Sequence, residues 1–366
     1  MVAIVEVPPP DSADDPNTWA ALADAELWNA ENQAQLGYAD LNDPVETAAA
    51  LAVPSTNRRT LRWVALDDPD DRATVVGTCT CSLTLRDNLG TASVHAVVRS
   101  DRRRQGIGTA LFEVAERRAV AEGRHTMQSW VLQVARTTAD DPGALTPGEG
   151  SGFVDGNHPS ARFLLGRGYA LEQVEVHSLL HVPVPTDVLE PLEAAATAAS
   201  EADYRLVSWA GRCPDDLVDG LAQLRAAMAD APIAGLEFER QQWSADRVRE
   251  VERRSAEAGV ISLATAAQHR QSGELAGYTE LNRYVARADS AFQEDTVVIA
   301  GHRGHRLGMR LKIANLRLLA QRWPDVRRIH TWNADENDHM RSINIALGFR
   351  PESGEGGWQK VIPTST

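Results

Sequence analysis

The stretch Val97-Val98-Arg99-Ser100-Asp101-Arg102-Arg103-Arg104-Gln105-Gly106-Ile107-Gly108-Thr109-Ala110-Leu111 decides the fold, because it recurs 200 positions later. The second copy reads Val297-Val298-Ile299-Ala300-Gly301-His302-Arg303-Gly304-His305-Arg306-Leu307-Gly308-Met309-Arg310-Leu311. Both copies have the same order of parts. An apolar run at 93–98 or 296–299 reads as a strand, and a short basic turn containing glycine follows. A helix then opens, with apolar residues at Ile107, Leu111 and Val114 in one copy and at Leu307, Leu311, Ala314 and Leu318 in the other. That spacing gives each helix one buried face. Further strands are expected at 127–133 and 328–332. An offset of 200 residues is too long for a solenoid repeat and fits two whole domains.

A second matched pair lies downstream. Asn157 stands eleven residues before Gly168-Tyr169, and Asn337 stands eleven before Gly348-Phe349. Each segment reads as a short helix closed by a glycine and entering a strand. Gly108 and Asn157 are 49 residues apart, whereas Gly308 and Asn337 are 29 apart, so the first copy carries 20 extra residues. These fall in a Gly/Pro/Asp-rich loop at 135–156, long enough to suggest a functional role. A strand at 174–184, an Ala/Glu-rich stretch at 190–202 and a new strand at 204–209 put the boundary near 200. The expected domains are 1–200 and 201–366.

Composition narrows the class of function. The 366 residues carry 37 Lys+Arg against 51 Asp+Glu, a formal net charge of −14, and 43% of them are hydrophobic. Two real cores are affordable on that count, and the acidic balance argues against a nucleic-acid or anionic-membrane partner. Cys79, Cys81 and Cys213 make neither a disulfide framework nor a metal pattern; Cys79 and Cys81 would share one face of a buried strand. His302 and His305 lack an acidic third ligand, so no metal is expected. No secretory signal or spanning segment is evident. A cytoplasmic protein, monomer or homodimer, is expected.

The repeated turn carries the chemistry. A strand that feeds a short turn and then a helix aims free backbone N–H groups and the positive helix end at one point, which makes an anion site. Gly106 and Gly108 allow close backbone approach, and Arg102, Arg103 and Arg104 concentrate positive charge in an acidic chain. A dinucleotide fingerprint would need a glycine where Leu111 stands, and a Walker loop would need Lys-Ser/Thr where Thr109-Ala110 stand.

The pattern that fits is Arg-x-x-Gly-x-Gly at Arg103, Gly106 and Gly108. It resembles the pyrophosphate-binding signature of the GNAT N-acetyltransferase superfamily, and the Asn-x10-Gly-Phe/Tyr segments look like that family's later helix. The second half, with HRGHRLG and TWNADENDHMRSINIALGF, is similar to tandem GNAT proteins of actinobacteria. The resemblance implies an α/β (α+β) chain of two GNAT domains, each a mixed, centrally splayed β-sheet flanked by helices. It implies acetyl-CoA as cosubstrate and a small-molecule primary amine as acceptor, attacked directly.

By the same resemblance, cofactor contacts fall at Val97, Val98, Arg99, Arg103, Arg104, Gln105, Gly106, Ile107, Gly108, Thr109 and Asn157. In the second copy they fall at Val298, Arg303, Gly304, Arg306, Gly308 and Asn337. Arg306 replaces the expected glycine, so the first turn is expected to be the better cofactor site. The tyrosine that many members use as general acid is replaced by Leu164 and Asn344. His95, Glu280, Glu294 and Asp295 are the candidate bases. A non-catalytic acyl-CoA-binding or regulatory protein is the alternative, and a third is that one copy only completes the other's cleft.

Overall fold

The computed structural model describes residues 2–230 and 234–363. Their contacts divide the chain into two compact units. One comprises Met1–Glu175, Ile233–Glu239 and Gly354–Thr366; the other comprises Val176–Pro232 and Arg240–Ser353.

In the first unit the order is β1 (Ala3–Val7), α1 (Trp19–Leu36), α2 (Val45–Ala52), β2 (Arg58–Leu66), β3 (Val75–Thr84), β4 (Thr91–Val98), α3 (Ile107–Ala121) and β5 (Thr126–Gln133). The loop after β5 holds a minimal hairpin, β6 (Ala144–Leu145) with β7 (Val154–Asp155), before α4 (Pro159–Gly166) and β8 (Ala170–His181). The second unit adds α5 (Thr186–Ala198), β9 (Tyr204–Ala210), α6 (Val218–Ala226), α7 (Ala245–Glu257), β10 (Val260–His269), β11 (Leu275–Tyr284) and β12 (Ser290–Val298). It continues with α8 (Leu307–Arg322), β13 (Arg328–Ala334), α9 (Asp338–Leu347) and the first residues of β14 (Arg350–Val361).

The strand order is β1-β2-β3-β4-β5-β14 in the first unit and β8-β13-β12-β11-β10-β9 in the second. The pairs β1–β2, β2–β3, β3–β4 and β5–β14, and β9–β10, β10–β11 and β11–β12, are antiparallel. β4 pairs with β5 in parallel, and β12 pairs with β13 in parallel. Each parallel ladder is three rungs long: it ends at Ser93/Gln128 in the first unit and at Phe292/His330 in the second. Beyond those rungs β4 continues to Val98 and β12 to Val298, so each sheet opens at its middle along strand edges whose mutual pairing has stopped.

The core follows from patterning. Cys79, Cys81 and Leu83 on β3 are buried on one face with Val94 of β4, and Leu111 and Ala115 of α3 pack onto them. In the second unit Leu263, Leu281, Ala291, Ile313 and Ile329 do the same with α8. The opposite face of the second sheet is covered by α6 and α7 through Leu221, Leu224 and Val248 against Ala266, Tyr278 and Val297. Gly77 and Gly277 stand opposite Val98 and Val298. A Cβ at Gly77 would lie 3.0 Å from the Val97 carbonyl oxygen, and at Gly277 only 2.5 Å from that of Val297. Only glycine lets these strands approach so closely.

Candidate active site

Both turns are built alike. After β4, Ser100–Arg102 makes one 3₁₀ turn, Arg104 and Gly106 take positive φ (62° and 82°), and α3 begins at Ile107. After β12, Ala300–His302 repeats the 3₁₀ turn, Gly304 and Arg306 take φ of 89° and 54°, and α8 begins at Leu307. Arg306 therefore adopts the left-handed conformation that Gly106 adopts, and the main-chain path is kept. The Nε of Arg103 donates to the Val98 carbonyl at 2.9 Å, and that of Arg303 donates to Val298 at 3.1 Å. Neither Gly106 nor Arg306 caps its helix with a side chain, so the first N–H groups stay available. A Cβ at Gly106 would meet nothing within 4 Å. Open approach, uncapped donors and a positive helix end suit a diphosphate.

The charges around the two turns differ. In the first, Arg99 pairs with Asp101 at 2.7 Å, Arg102 with Asp67, and Arg103 with Glu31. In the second, Arg303 and Arg306 have no acidic partner among the described residues. Val97, Val98, Gln105, Ile107, Gly108 and Thr109 lie along the first turn and its flanks, and Val298, Gly304 and Gly308 along the second.

The two asparagines differ as well. Asn337 caps α9, its Oδ1 accepting from the Met340 N–H at 3.2 Å. Asn157 lies ahead of α4, where His158 is the cap, and its amide leans on the Pro142 carbonyl at 3.4 Å. The 20-residue insertion thus draws Asn157 out of the helix start. It also helps enclose a cavity of about 690 Å³ in the first unit, lined by Arg103, Gln133, Arg136, Asp155, His158 and Ser160 among others.

The carboxylates gather in the second unit. Thr279 pairs with Thr296 but Leu281 pairs with Gln293, so Glu294 and Asp295 together oppose Glu280 in a β-bulge. A bulge interrupts the ladder and re-aims side chains. The Gln293 amide fills the interruption, donating to the Glu280 carbonyl at 2.8 Å and to Thr279 Oγ1 at 3.0 Å. Arg225 of α6 donates to Glu280 Oε2 at 2.8 Å. Turned with its nitrogen inward, the Asn282 amide donates to Glu280 Oε1 at 3.1 Å. Tyr278 Oη donates to Asp295.

Glu294 is exposed but its carboxyl is crowded by these groups. Lost solvation, then Glu280 and Asp295, push its carboxyl up to about 7. Burial also raises Glu280, against the pull of Arg225. The sequence flagged Glu280, Glu294 and Asp295 singly. It did not flag Arg225 of α6, or Asn282 and Tyr278 of β11.

The first unit has no such bulge: Thr80 pairs with His95 and Cys81 with Val94 in unbroken register. His95 is half-buried without a hydrogen-bond partner among the described residues, and burial drives its imidazole down to about 4, leaving it neutral. Thr78 Oγ1 donates to Asp24 of α1. Tyr278, Glu280 and Asp295 thus have Thr78, Thr80 and His95 as their counterparts. Leu164 and Asn344, at the positions of the absent phenol, are buried.

Short parallel rungs, a sheet opened beside them and an anion turn at the mouth are the features that the resemblance to GNAT acetyltransferases implies. Residues 23–140 match the model of the acetyltransferase (GNAT) family, so the first unit carries a GNAT acetyltransferase domain. A tandem GNAT protein from the clavulanic acid biosynthesis pathway is 27% identical, each chain covered in full, with a TM-score of 0.73. The chain thus has the tandem GNAT fold over its length. A GCN5-related N-acetyltransferase from Sphaerobacter thermophilus matches at 13% identity, over 99% of this chain and 97% of that one, with a TM-score of 0.61. A GCN5-related glucosamine N-acetyltransferase region of a fungal multi-domain beta-N-acetylglucosaminidase matches at 14% identity, over 98% of this chain and 38% of that one, with a TM-score of 0.59. No curated protein matches. Among the described residues no helix is long and apolar enough to cross a membrane.

Proposed function

We propose that the second unit transfers an acetyl group from acetyl-CoA to a small primary amine, with Glu294 as general base. The observation that carries this is the bulge, which sets a carboxyl of pKa about 7 on the strand bordering the opening. The turn residues Arg303, Gly304, Arg306 and Gly308 would hold the diphosphate, and Asn337 would face the rest of the cosubstrate from α9. A general base works best when its pKa is near the operating pH.

The ammonium gives a proton to Glu294, and the amine nitrogen attacks the thioester carbonyl. The C–N bond forms, the C–S bond breaks, and coenzyme A leaves as thiolate. The nitrogen sheds its second proton to water as the amide forms, and with Asn344 unable to donate, the thiolate takes its proton from water. A thiol of pKa about 8.5 makes that departure cost about 2 kcal/mol at pH 7, at about 1.36 per unit, so no phenol is required. Counted along the repeat, the proposed division is 1–200 and 201–366, although 176–200 pack with the second unit and the segment from Gly354 with the first; a cytoplasmic enzyme, monomer or homodimer, fits this reading.

A second reading applies to the first unit alone: it binds an acyl-CoA at Arg103, Gly106 and Gly108 without turning it over. The unbroken β3–β4 register, with Thr80 and a neutral His95 at its centre, favours this. The test is release of free coenzyme A with a panel of amines, in wild type, Glu294→Gln and His95→Ala. Release lost in Glu294→Gln and kept in His95→Ala supports both readings. No release with any amine refutes the first.

A further inference from the structure

The second sheet carries a set of rings that the acetyl-transfer reading leaves unused. His177, His330, Phe292 and Trp332 lie in a nearly parallel array. His177 and Trp332 are 4.4 Å apart between centroids at 21°, His177 and His330 are 5.2 Å apart at 5°, and Phe292 and Trp332 are 6.5 Å apart at 17°. Both histidines are fully buried, whereas Trp332 is only partly so. A chain of hydrogen bonds fixes the imidazoles: His177 Nδ1 to Ser353 Oγ at 2.8 Å, and His177 Nε2 to His330 Nδ1 at 2.9 Å. Burial, with His330 beside it, drives His177 down to about 3, so its ring is neutral and does not repel a cation.

Register places this array opposite the carboxylates. Phe292 and His330 form the last parallel rung, and Trp332 follows two residues on along β13. Glu294 stands two residues beyond Phe292 on β12. On the far side Glu280 is closed off by Arg225, whose guanidinium lies over Trp243 at 5.1 Å. The opening of the second sheet is therefore bordered by a carboxyl on one strand and a flat aromatic face on the other. The indole Nε1 of Trp332 is buried without a hydrogen-bond partner among the described residues.

The geometry points to an acceptor that is a flat organic cation: an arylalkyl-type amine whose ammonium meets Glu294 and whose ring lies on Trp332. This rests on the reading of the second unit as the transferring one and adds the substrate class to it. A carboxylate alone would take any ammonium. A parallel ring array ending in an indole adds preference for a π-system and for positive charge, since stacked rings and cation–π contacts both favour it.

The test compares 2-phenylethylamine with 2-cyclohexylethylamine, which match in size and charge but differ in flatness, by coenzyme A release. Expected is a kcat/KM at least tenfold higher for the aromatic amine. That ratio should fall to near one in Trp332→Leu and be largely kept in Trp332→Phe, with the change in KM. Equal kcat/KM in wild type overturns the inference, as does a preference that survives Trp332→Leu. Turnover of other amines but of neither probe also overturns it, while acetyl transfer stands. If no amine is turned over, the transfer reading fails. Calorimetric titration of the two amines then decides the inference alone: tighter binding of the aromatic one supports it, and equal or absent binding overturns it.

Discussion

Arg225 donates to Glu280 at 2.8 Å, which ties up Glu280 and leaves Glu294, raised to about 7, as the carboxyl placed to take a proton. Glu280 is held by the Arg225 guanidinium and Asp295 by the Tyr278 phenol, whereas Glu294 shares only the Asn282 amide and is exposed. Both partners of the ion pair are mostly buried, with side chains 13% and 14% exposed. Removing one member of a buried pair strands the other and costs about 3–5 kcal/mol. Arg225→Met should therefore lower stability by roughly that much, whereas Arg225→Met with Glu280→Met should recover most of it. Chemical denaturation of the three proteins checks this.

Glu294 sets the pH dependence. Its carboxyl is raised to about 7 and must be deprotonated to act. The rate at limiting amine should rise with pH, about tenfold per unit below 7, and level off above it. Glu294→Gln should lose on the order of 100-fold and show no inflection near 7. Rates of coenzyme A release from pH 5.5 to 9 give the comparison.

Lys312 of α8 is 2% exposed, without a hydrogen-bond or ion-pair partner among the described residues, its ammonium 5.9 Å from the Phe349 ring. The first unit has Phe112 at the matching position. Burial alone lowers the lysine to about 7, against about 10.4 when unfolded. Between those values the unfolded chain holds the extra proton, so stability should rise with pH across that window and be lowest below 7. Lys312→Met should flatten the dependence and add on the order of 3 kcal/mol at pH 7. Unfolding midpoints of both proteins at pH 6, 8 and 10 measure it.

Gly277 and Gly77 are equivalent in register but not in room. Alanine at Gly277 must displace the Val297 carbonyl from 2.5 Å, whereas at Gly77 the approach is 3.0 Å. Gly277→Ala should destabilise by about 2 kcal/mol or more, and Gly77→Ala by less. Thermal unfolding of the two single variants ranks them.

The repeated turn, the helices that open from it and the glycines that close α4 and α9 were legible because each is encoded locally. Positive φ at Gly106, Gly168 and Gly348 leaves a residue type as its mark. The bulge was not legible: one extra residue between Gln293 and Thr296 changes no composition or period. The grouping of Arg225, Tyr278, Asn282 and Glu294 comes from pairing between distant segments, which no spacing encodes. The pairing of Arg103 with Glu31, 72 residues away, escaped for the same reason. It also changes how the two turns compare, since charge at the first is partly neutralised while Arg303 has no acidic partner among the described residues.

Everything proposed for the reaction depends on acetyl-CoA seating at these strand-to-helix corners, and calorimetric titration of acetyl-CoA into wild type, Arg103→Glu and Arg303→Glu measures that directly. The expected result is saturable binding by wild type, with each substitution removing or weakening at least tenfold the binding of its own unit. No heat of binding at high micromolar acetyl-CoA in wild type, or binding unchanged in both variants, would contradict it.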